Sequence, residues 1–125
     1  MSNLLLDTNA VVEYAAASDR FGKKTIRLLN SSQLFYSSIT LAELRLKELR
    51  LPGFRSGLNR QKLSELGISE LSFDAKDSEH MLTLETKDPF DLILVAQAKS
   101  REMKFVTADL RILESDLDFV VDLTD

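Results

Sequence analysis

The sequence predicts an α/β fold built on a mostly parallel sheet, and three observations favour this class. Short apolar segments of strand length alternate along the chain with segments whose apolar residues recur at helical spacing. The chain has 125 residues, 44% of them hydrophobic, which is enough for one domain to bury a core without help from a metal. It contains no cysteine, which excludes disulfide scaffolds and zinc ribbons. No linker or repeat divides residues 1–125, so we expect a single domain.

The elements follow one another in the alternating order that a parallel sheet requires. Strands are predicted over residues 4–6, 34–37, 68–73, 104–107 and 119–121. Helices are predicted after Asn9 and over residues 21–29, 39–51, 60–66, 75–84, 89–101 and 109–113. Pro52 stops the third helix because proline cannot continue one, and Pro89 opens the sixth at a position where its missing N–H costs nothing. The alternating strand at 68–73 is expected at a sheet edge.

Acidic residues follow several of the predicted strands. Asp7 comes directly after the first strand, Glu43 lies one turn into the helix after the second, Asp88 and Asp91 flank Pro89, and Asp109 follows the strand at 104–107. Ligands of open parallel sheets bind at the carboxyl ends of the strands. We therefore expect these carboxylates to lie at one edge of the sheet.

Each acid also has a purely structural explanation. Aspartates at these places are common N-caps of the following helix, which applies to Asp7, Asp88 and Asp109, and Asp91 in a first helical turn would be stabilised by the helix dipole. Glu43 has the spacing of a capping box with Thr40 and of an i,i+4 ion pair with Lys47. Spacing alone leaves both explanations open.

The residue types in these segments are more informative about function than the spacing of the acids. The sequence resembles the PIN-domain nuclease family, in particular its small single-domain members that act as VapC-type toxins, across essentially the whole chain. The segments that carry the resemblance are, in order, LLDTN at 5–9, SITLAEL at 38–44, DPFDLILVAQA at 88–98 and VTAD at 106–109.

This resemblance implies a three-layer α/β/α sandwich and a metal-dependent endoribonuclease. Carried over position by position, the catalytic and metal-binding acids are Asp7, Glu43, Asp91 and Asp109. The resemblance also implies supporting roles for Asn9 in the loop around the first acid, for the Thr107 hydroxyl, and for Asp88 as a cap or outer residue. Two positions depart from many relatives: Leu92 replaces a basic residue after DPFD, and Leu110-Arg111 follow TAD in place of a further acid.

An all-carboxylate site suits Mg²⁺ or Mn²⁺, because these hard cations prefer oxygen ligands and the chain has a single histidine. Such an ion can activate water, orient a scissile phosphate and stabilise the leaving oxygen. The net charge of −4 comes from 20 acids and 16 bases. Without the four proposed ligands, 16 acids balance 16 bases, so the total does not argue against a nucleic-acid partner.

Basic residues are concentrated between positions 45 and 62, and the candidate substrate contacts among them are Arg45, Lys47 and Arg50. They either guide RNA toward the acidic site or form an ordinary solvated helix face. The resemblance implies RNA as substrate, a small antitoxin as partner and a homodimer. No segment is long and apolar enough to span a membrane, and the N-terminus lacks signal-peptide features, so a cytoplasmic protein is expected.

Two other functions are compatible with parts of the sequence. A phosphorelay receiver domain has similar length, acidity and α/β alternation, although Thr8-Asn9 stand where its second acid would be useful and Lys104 begins its strand instead of ending it. A catalytically inactive PIN-like binding module is the other, which the complete set of four acids disfavours.

Overall fold

Five parallel strands form the centre of the molecule. The computed structural model describes residues 2–125. Its strands are β1 (Ser2–Leu6), β2 (Ser32–Ser37), β3 (Ile68–Leu71), β4 (Lys104–Thr107) and β5 (Val120–Asp122). They are ordered β3-β2-β1-β4-β5, and each neighbouring pair is parallel. The predicted parallel α/β class is confirmed, and β3 lies at an edge as expected.

Seven helices flank this sheet within residues 2–125. They are α1 (Thr8–Ala15), α2 (Lys23–Asn30), α3 (Ser38–Arg50), α4 (Arg60–Glu65), α5 (Ala75–Ser78), α6 (Pro89–Ser100) and α7 (Leu110–Leu113). Helix α3 ends at Arg50 because Leu51, the residue before Pro52, has an extended backbone. No helix in this part of the chain is long and apolar enough to cross a membrane.

Strand β1 has hydrophobic packing on both of its faces. Leu4 and Leu6 belong to one core cluster, which also contains Val11 of α1 and Leu63 of α4, whereas Leu5 belongs to a second cluster. The second cluster lies against α6 and α7. A central strand that is covered on both faces has apolar side chains at successive positions, which explains the three consecutive leucines. The result is the predicted three-layer sandwich.

Helix α5 is much shorter than predicted. A helix was expected over residues 75–84, but α5 ends at Ser78 after a single turn closed by a reciprocal cap between Asp74 and Asp77. Leu82 and Leu84 then pack against the second core cluster from a segment without regular structure. Their apolar spacing, which suggested a helical face, instead anchors the connection that leads to α6.

The strand order also decides against one of the alternative functions. Receiver domains have the strand order 2-1-3-4-5. Here β2 lies between β1 and β3, and β1 is central. The receiver alternative is therefore wrong for this chain.

The turn before α2 gives a test of packing. Gly22 is the N-cap of α2, and a Cβ added to it would lie 2.1 Å from the backbone oxygen of Asp125. We expect Gly22→Ala to lower the free energy of unfolding by about 1–3 kcal/mol, because well-packed backbone must move to admit the methyl group. Urea denaturation measures this.

The matched control is Gly57→Ala. Gly57 has φ +71°, and an added Cβ meets nothing within 4 Å, so its cost of about 1 kcal/mol comes from backbone conformation alone. Wild-type stability of the Gly22 variant would contradict the close approach of residue 125.

Candidate active site

Four acids predicted from the sequence lie at the carboxyl edge of the sheet. Asp7 joins β1 to α1, Glu43 lies in the second turn of α3, Asp91 lies in the first turn of α6, and Asp109 joins β4 to α7. Because β1 and β4 are neighbours, their ends bring Asp7 and Asp109 to the same place. We call Asp7, Glu43, Asp91 and Asp109 the acidic cluster.

Asp7 is the most rigidly held member of the acidic cluster. Its side chain is buried, with a residue exposure of 5%. One carboxylate oxygen accepts the N–H of Ala10 at 2.7 Å, which makes Asp7 the N-cap of α1, and the other accepts the hydroxyl of Thr107. The pKa of Asp7 is raised to about 6, chiefly by burial and to a smaller extent by the charges of Glu43 and Asp109, while these two hydrogen bonds oppose the rise.

Glu43 is held by a chain of hydroxyl groups. The Thr8 hydroxyl donates to Glu43 Oε1 at 2.6 Å and lies 3.2 Å from the hydroxyl of Thr40. Because Thr8 has one proton and gives it to Glu43, Thr40 is the donor to Thr8. The capping-box explanation of Glu43 is wrong, since the N-cap of α3 is Ser37. Burial raises the pKa of Glu43, while the Thr8 hydrogen bond lowers it.

Asp91 has the largest accumulation of negative charge around it. It is half-buried, and the Thr86 hydroxyl lies 3.4 Å from its Oδ2. Burial, followed by repulsion from Asp88 and from the three other members of the acidic cluster, raises the pKa of Asp91 to about 7. Asp91 therefore holds its proton more tightly than an ordinary carboxyl group when no cation is present.

Asp109 differs from the others because a positive charge accompanies it. Its Oδ1 accepts the N–H of Arg111 at 2.9 Å, which caps α7, and the Arg111 guanidinium lies 3.3 Å from Oδ2. Burial would raise the pKa of Asp109, but the hydrogen bonds and charge of Arg111 outweigh it and lower the pKa. The Asp109 N–H donates to Thr107 at 3.0 Å, so Thr107 links two acids.

Two of the residues expected to support the site, Asn9 and Asp88, differ in the hydrogen bonds that their side chains make. Asp88 is the N-cap of α6 and accepts the Phe90 N–H at 2.9 Å. Asn9 is exposed, and its side chain makes no hydrogen bond within residues 2–125. Sequence reasoning missed Thr8 and Thr86, which contact the acids instead. The only signal for Thr8 was its place in the Asp-Thr-Asn segment.

A groove between α3 and α6, with a volume of about 720 Å³, opens beside Glu43. We call it the α3–α6 groove; it is lined by Glu43, Leu46, Lys47, Arg50, Leu51, Asp88, Pro89 and Phe90. Two of the three predicted substrate contacts, Lys47 and Arg50, therefore lie on its wall. The third, Arg45, instead donates to the Leu58 carbonyl at 2.5 Å and pairs with Glu48 at 3.2 Å. The Lys47 ammonium lies over the Phe54 ring, 4.6 Å from its centroid.

The donor set of the acidic cluster fits a hard divalent cation. All of its members offer carboxylate oxygens, the ligands that Mg²⁺ and Mn²⁺ prefer. The raised pKa values of Asp7 and Asp91 come partly from neighbouring carboxylates, and a cation removes that repulsion. In residues 2–125 no three acidic or histidine side chains are already arranged as a metal-binding group.

These features define an α/β domain with an acidic site at the carboxyl edge of a parallel sheet. The chain belongs to the PIN domain family, whose model matches residues 4–116. No curated protein sequence matches the chain significantly.

The chain is similar in structure to several proteins of known structure. VapBC2 from Rickettsia felis, bound to a promoter DNA fragment, matches with a TM-score of 0.70 and 19% identity, covering 96% of this chain and 98% of that one. DNA-bound VapBC from Salmonella typhimurium matches with a TM-score of 0.66 and 22% identity, covering 98% and 99%. FitAcB from Neisseria gonorrhoeae matches with a TM-score of 0.57 and 23% identity, covering 94% and 95%. The likeness extends over nearly the full length of each chain.

The raised pKa values predict how stability depends on pH without metal. The folded state holds the Asp7 proton more tightly than the unfolded state, because the pKa is raised from 3.8 to about 6. This contribution to stability is complete below about pH 4 and is lost as pH rises through 6; Asp91 extends the loss through about pH 7. Asp7→Asn keeps a capping acceptor and removes the charge. We expect it to raise the free energy of unfolding at pH 8 by about 1–3 kcal/mol.

The measurement is urea denaturation at pH 5 and pH 8 in the presence of EDTA. Asp19→Asn, at an exposed position outside the acidic cluster, is the control and should follow the wild type. If the free energy of unfolding has the same pH dependence in Asp7→Asn and in Asp19→Asn, the pKa of Asp7 is not raised in the folded state.

Proposed function

We propose that this chain is a divalent-cation-dependent endoribonuclease that hydrolyses RNA phosphodiester bonds at the acidic cluster. The observation that carries the proposal is the gathering of four carboxylates from four separate segments, with the pKa of Asp7 raised to about 6 and that of Asp91 to about 7. Carboxyl groups whose pKa values are raised by burial and by neighbouring charges are typical of functional sites. Membership of the PIN domain family supports the same activity.

Asp7, Glu43, Asp91 and Asp109 are the residues that would hold Mg²⁺ or Mn²⁺. When bound, the cation supplies an activated water and neutralises charge on the phosphate. Two of these side chains are held in place before a cation binds: Thr107 and the α1 N-terminus hold Asp7, and Thr8 holds Glu43. This arrangement limits the rotamer entropy that the side chains lose when they bind a cation or substrate.

Lys47 and Arg50 are the proposed contacts to the RNA backbone. Both line the α3–α6 groove next to Glu43 and are exposed, so a strand in the groove would pass them on its way to the acidic cluster. Cations at the wall offset the repulsion between phosphate and the acids at its end. The Arg45 guanidinium is instead engaged with the 56–58 loop.

The proposed biological setting is the toxin of a toxin-antitoxin pair in the cytoplasm. Among the solved structures that this chain is similar to are two VapBC complexes and a toxin-antitoxin complex from Klebsiella pneumoniae, the last at a TM-score of 0.63 and 18% identity. We accordingly propose a small antitoxin as partner and a homodimer as the assembly of the chain itself.

Cleavage of RNA tests the catalytic assignment. Because loss of an outer partner of a metal ligand already costs about 10–100-fold, we expect Asp91→Asn to reduce the cleavage rate with Mg²⁺ or Mn²⁺ by at least about 100-fold. The assay follows a labelled RNA at pH 7.5, with Asp19→Asn as the matched carboxylate-to-amide control. Equal rates for the two variants would refute the role of Asp91; no cleavage by any variant, wild type included, would favour a PIN-fold binding module.

Cation binding is testable without any substrate. At a Mn²⁺ concentration of 100 times its Kd, we expect the free energy of unfolding of the wild-type chain at pH 8 to rise by about 2.7 kcal/mol. Asp7→Asn should lose most of this gain because it removes a charged ligand, and Asp19→Asn should keep it. Thermal unfolding followed by circular dichroism measures the effect. Equal gains in both variants would place the cation elsewhere.

A further inference from the structure

Arg111 contacts both carboxylate oxygens of Asp109. Its backbone N–H donates to Oδ1 at 2.9 Å, its Nε lies 3.5 Å from the same oxygen, and its Nη2 lies 3.3 Å from Oδ2. Both oxygens of one proposed metal ligand therefore face a single residue. A cation that binds Asp109 would lie close to the guanidinium, and the two positive charges would repel each other at that distance.

The guanidinium is placed to interact with the rest of the site as well. The charges of Asp91 and Asp88 act on Arg111 in addition to that of Asp109. Its side chain is 57% exposed, and it extends from α7, a single turn that follows Asp109 directly. Exposed side chains change rotamer on a nanosecond timescale, so Arg111 can leave Asp109 without any movement of the backbone.

We propose that Arg111 is a substrate-binding residue that exchanges between two partners. It neutralises Asp109 while no cation is bound, and it transfers to a phosphate oxygen of RNA when a divalent cation takes Asp109. The planar guanidinium suits both partners, because carboxylate and phosphate each accept two parallel N–H bonds from it. The proposal rests on the function proposed above.

The competing explanation is an ordinary surface ion pair. Such pairs contribute about 0–1 kcal/mol to stability and have no effect on ligand binding unless the ligand uses one of the partners. Metal affinity and salt dependence distinguish the two explanations, whereas stability alone does not.

The experiment compares Arg111→Gln with Arg20→Gln. Arg20 pairs with Glu13 at 2.9 Å and is 54% exposed, so it matches Arg111 in geometry and exposure but lies outside the acidic cluster. In the absence of RNA, the Kd for Mn²⁺ is measured from the electron paramagnetic resonance signal of the free ion. We expect Arg111→Gln to tighten Mn²⁺ binding by about two- to fivefold, because the cation no longer displaces the guanidinium. Arg20→Gln should leave the Kd unchanged.

A second measurement follows the transfer to RNA. We expect Arg111→Gln to lower kcat/KM for a short single-stranded RNA and to reduce the slope of log(kcat/KM) against log[salt] by about 0.7, the contribution of one phosphate contact. Arg111→Lys keeps the charge but not the paired donors. It should recover the slope without recovering the full kcat/KM, which also separates loss of contact from loss of folding.

The outcomes separate the two proposals. If the wild-type chain binds no Mn²⁺, the proposed function fails and the role of Arg111 fails with it. If the wild type binds Mn²⁺ and cleaves RNA while Arg111→Gln matches Arg20→Gln in both measurements, only the role of Arg111 is overturned. Weaker Mn²⁺ binding in Arg111→Gln, or tighter binding with an unchanged salt slope, also overturns it.

Discussion

Repulsion among carboxylates at the ends of parallel strands is the constraint on which the rest of this molecule depends. Parallel strands bring their carboxyl ends to one edge, so acids that follow β1 and β4 meet whether or not a ligand is present. Every member of the acidic cluster is correspondingly held by a donor: backbone N–H groups for Asp7 and Asp109, and hydroxyl groups for Asp7, Glu43 and Asp91. These donors replace part of the solvation that burial removes.

The hydrophobic core keeps this repulsion from spreading the edge apart. β1 is central, and its three leucines are fully buried between two packed layers. The strand that precedes Asp7 is therefore anchored by packing on both of its faces. Loss of a single leucine from such a position typically costs about 2–5 kcal/mol.

Much of this architecture could be predicted from the sequence because local and global signals agree. The same sheet is indicated by three signals: the apolar run Leu4–Leu6, the Asp88-Pro89 start of α6, and the alternation of strands with helices. The sequence motifs gave the positions of the four acids. Other features depend on tertiary contacts that no local pattern encodes. The spacing of Thr40 and Glu43 suggested a cap, but Ser37 caps α3 and leaves Glu43 to Thr8. The apolar spacing around Leu82 suggested a helix that packing against the second core cluster overrides. Arg45 is identical in type to Arg50 but is engaged by the Leu58 carbonyl.

Asp7 has a double position, as the cap of α1 and as the most buried acid of the cluster, and this limits how the chain can lose its chemistry. An alanine at position 7 would remove the acceptor of the Ala10 N–H together with the negative charge, so the helix that supplies Val11 to the core would weaken along with the site. Asparagine retains an oxygen in the same place and separates the two effects. A descendant of this protein that kept the fold without the proposed activity would therefore have few residues to choose from at this position, because the replacement must still cap the helix.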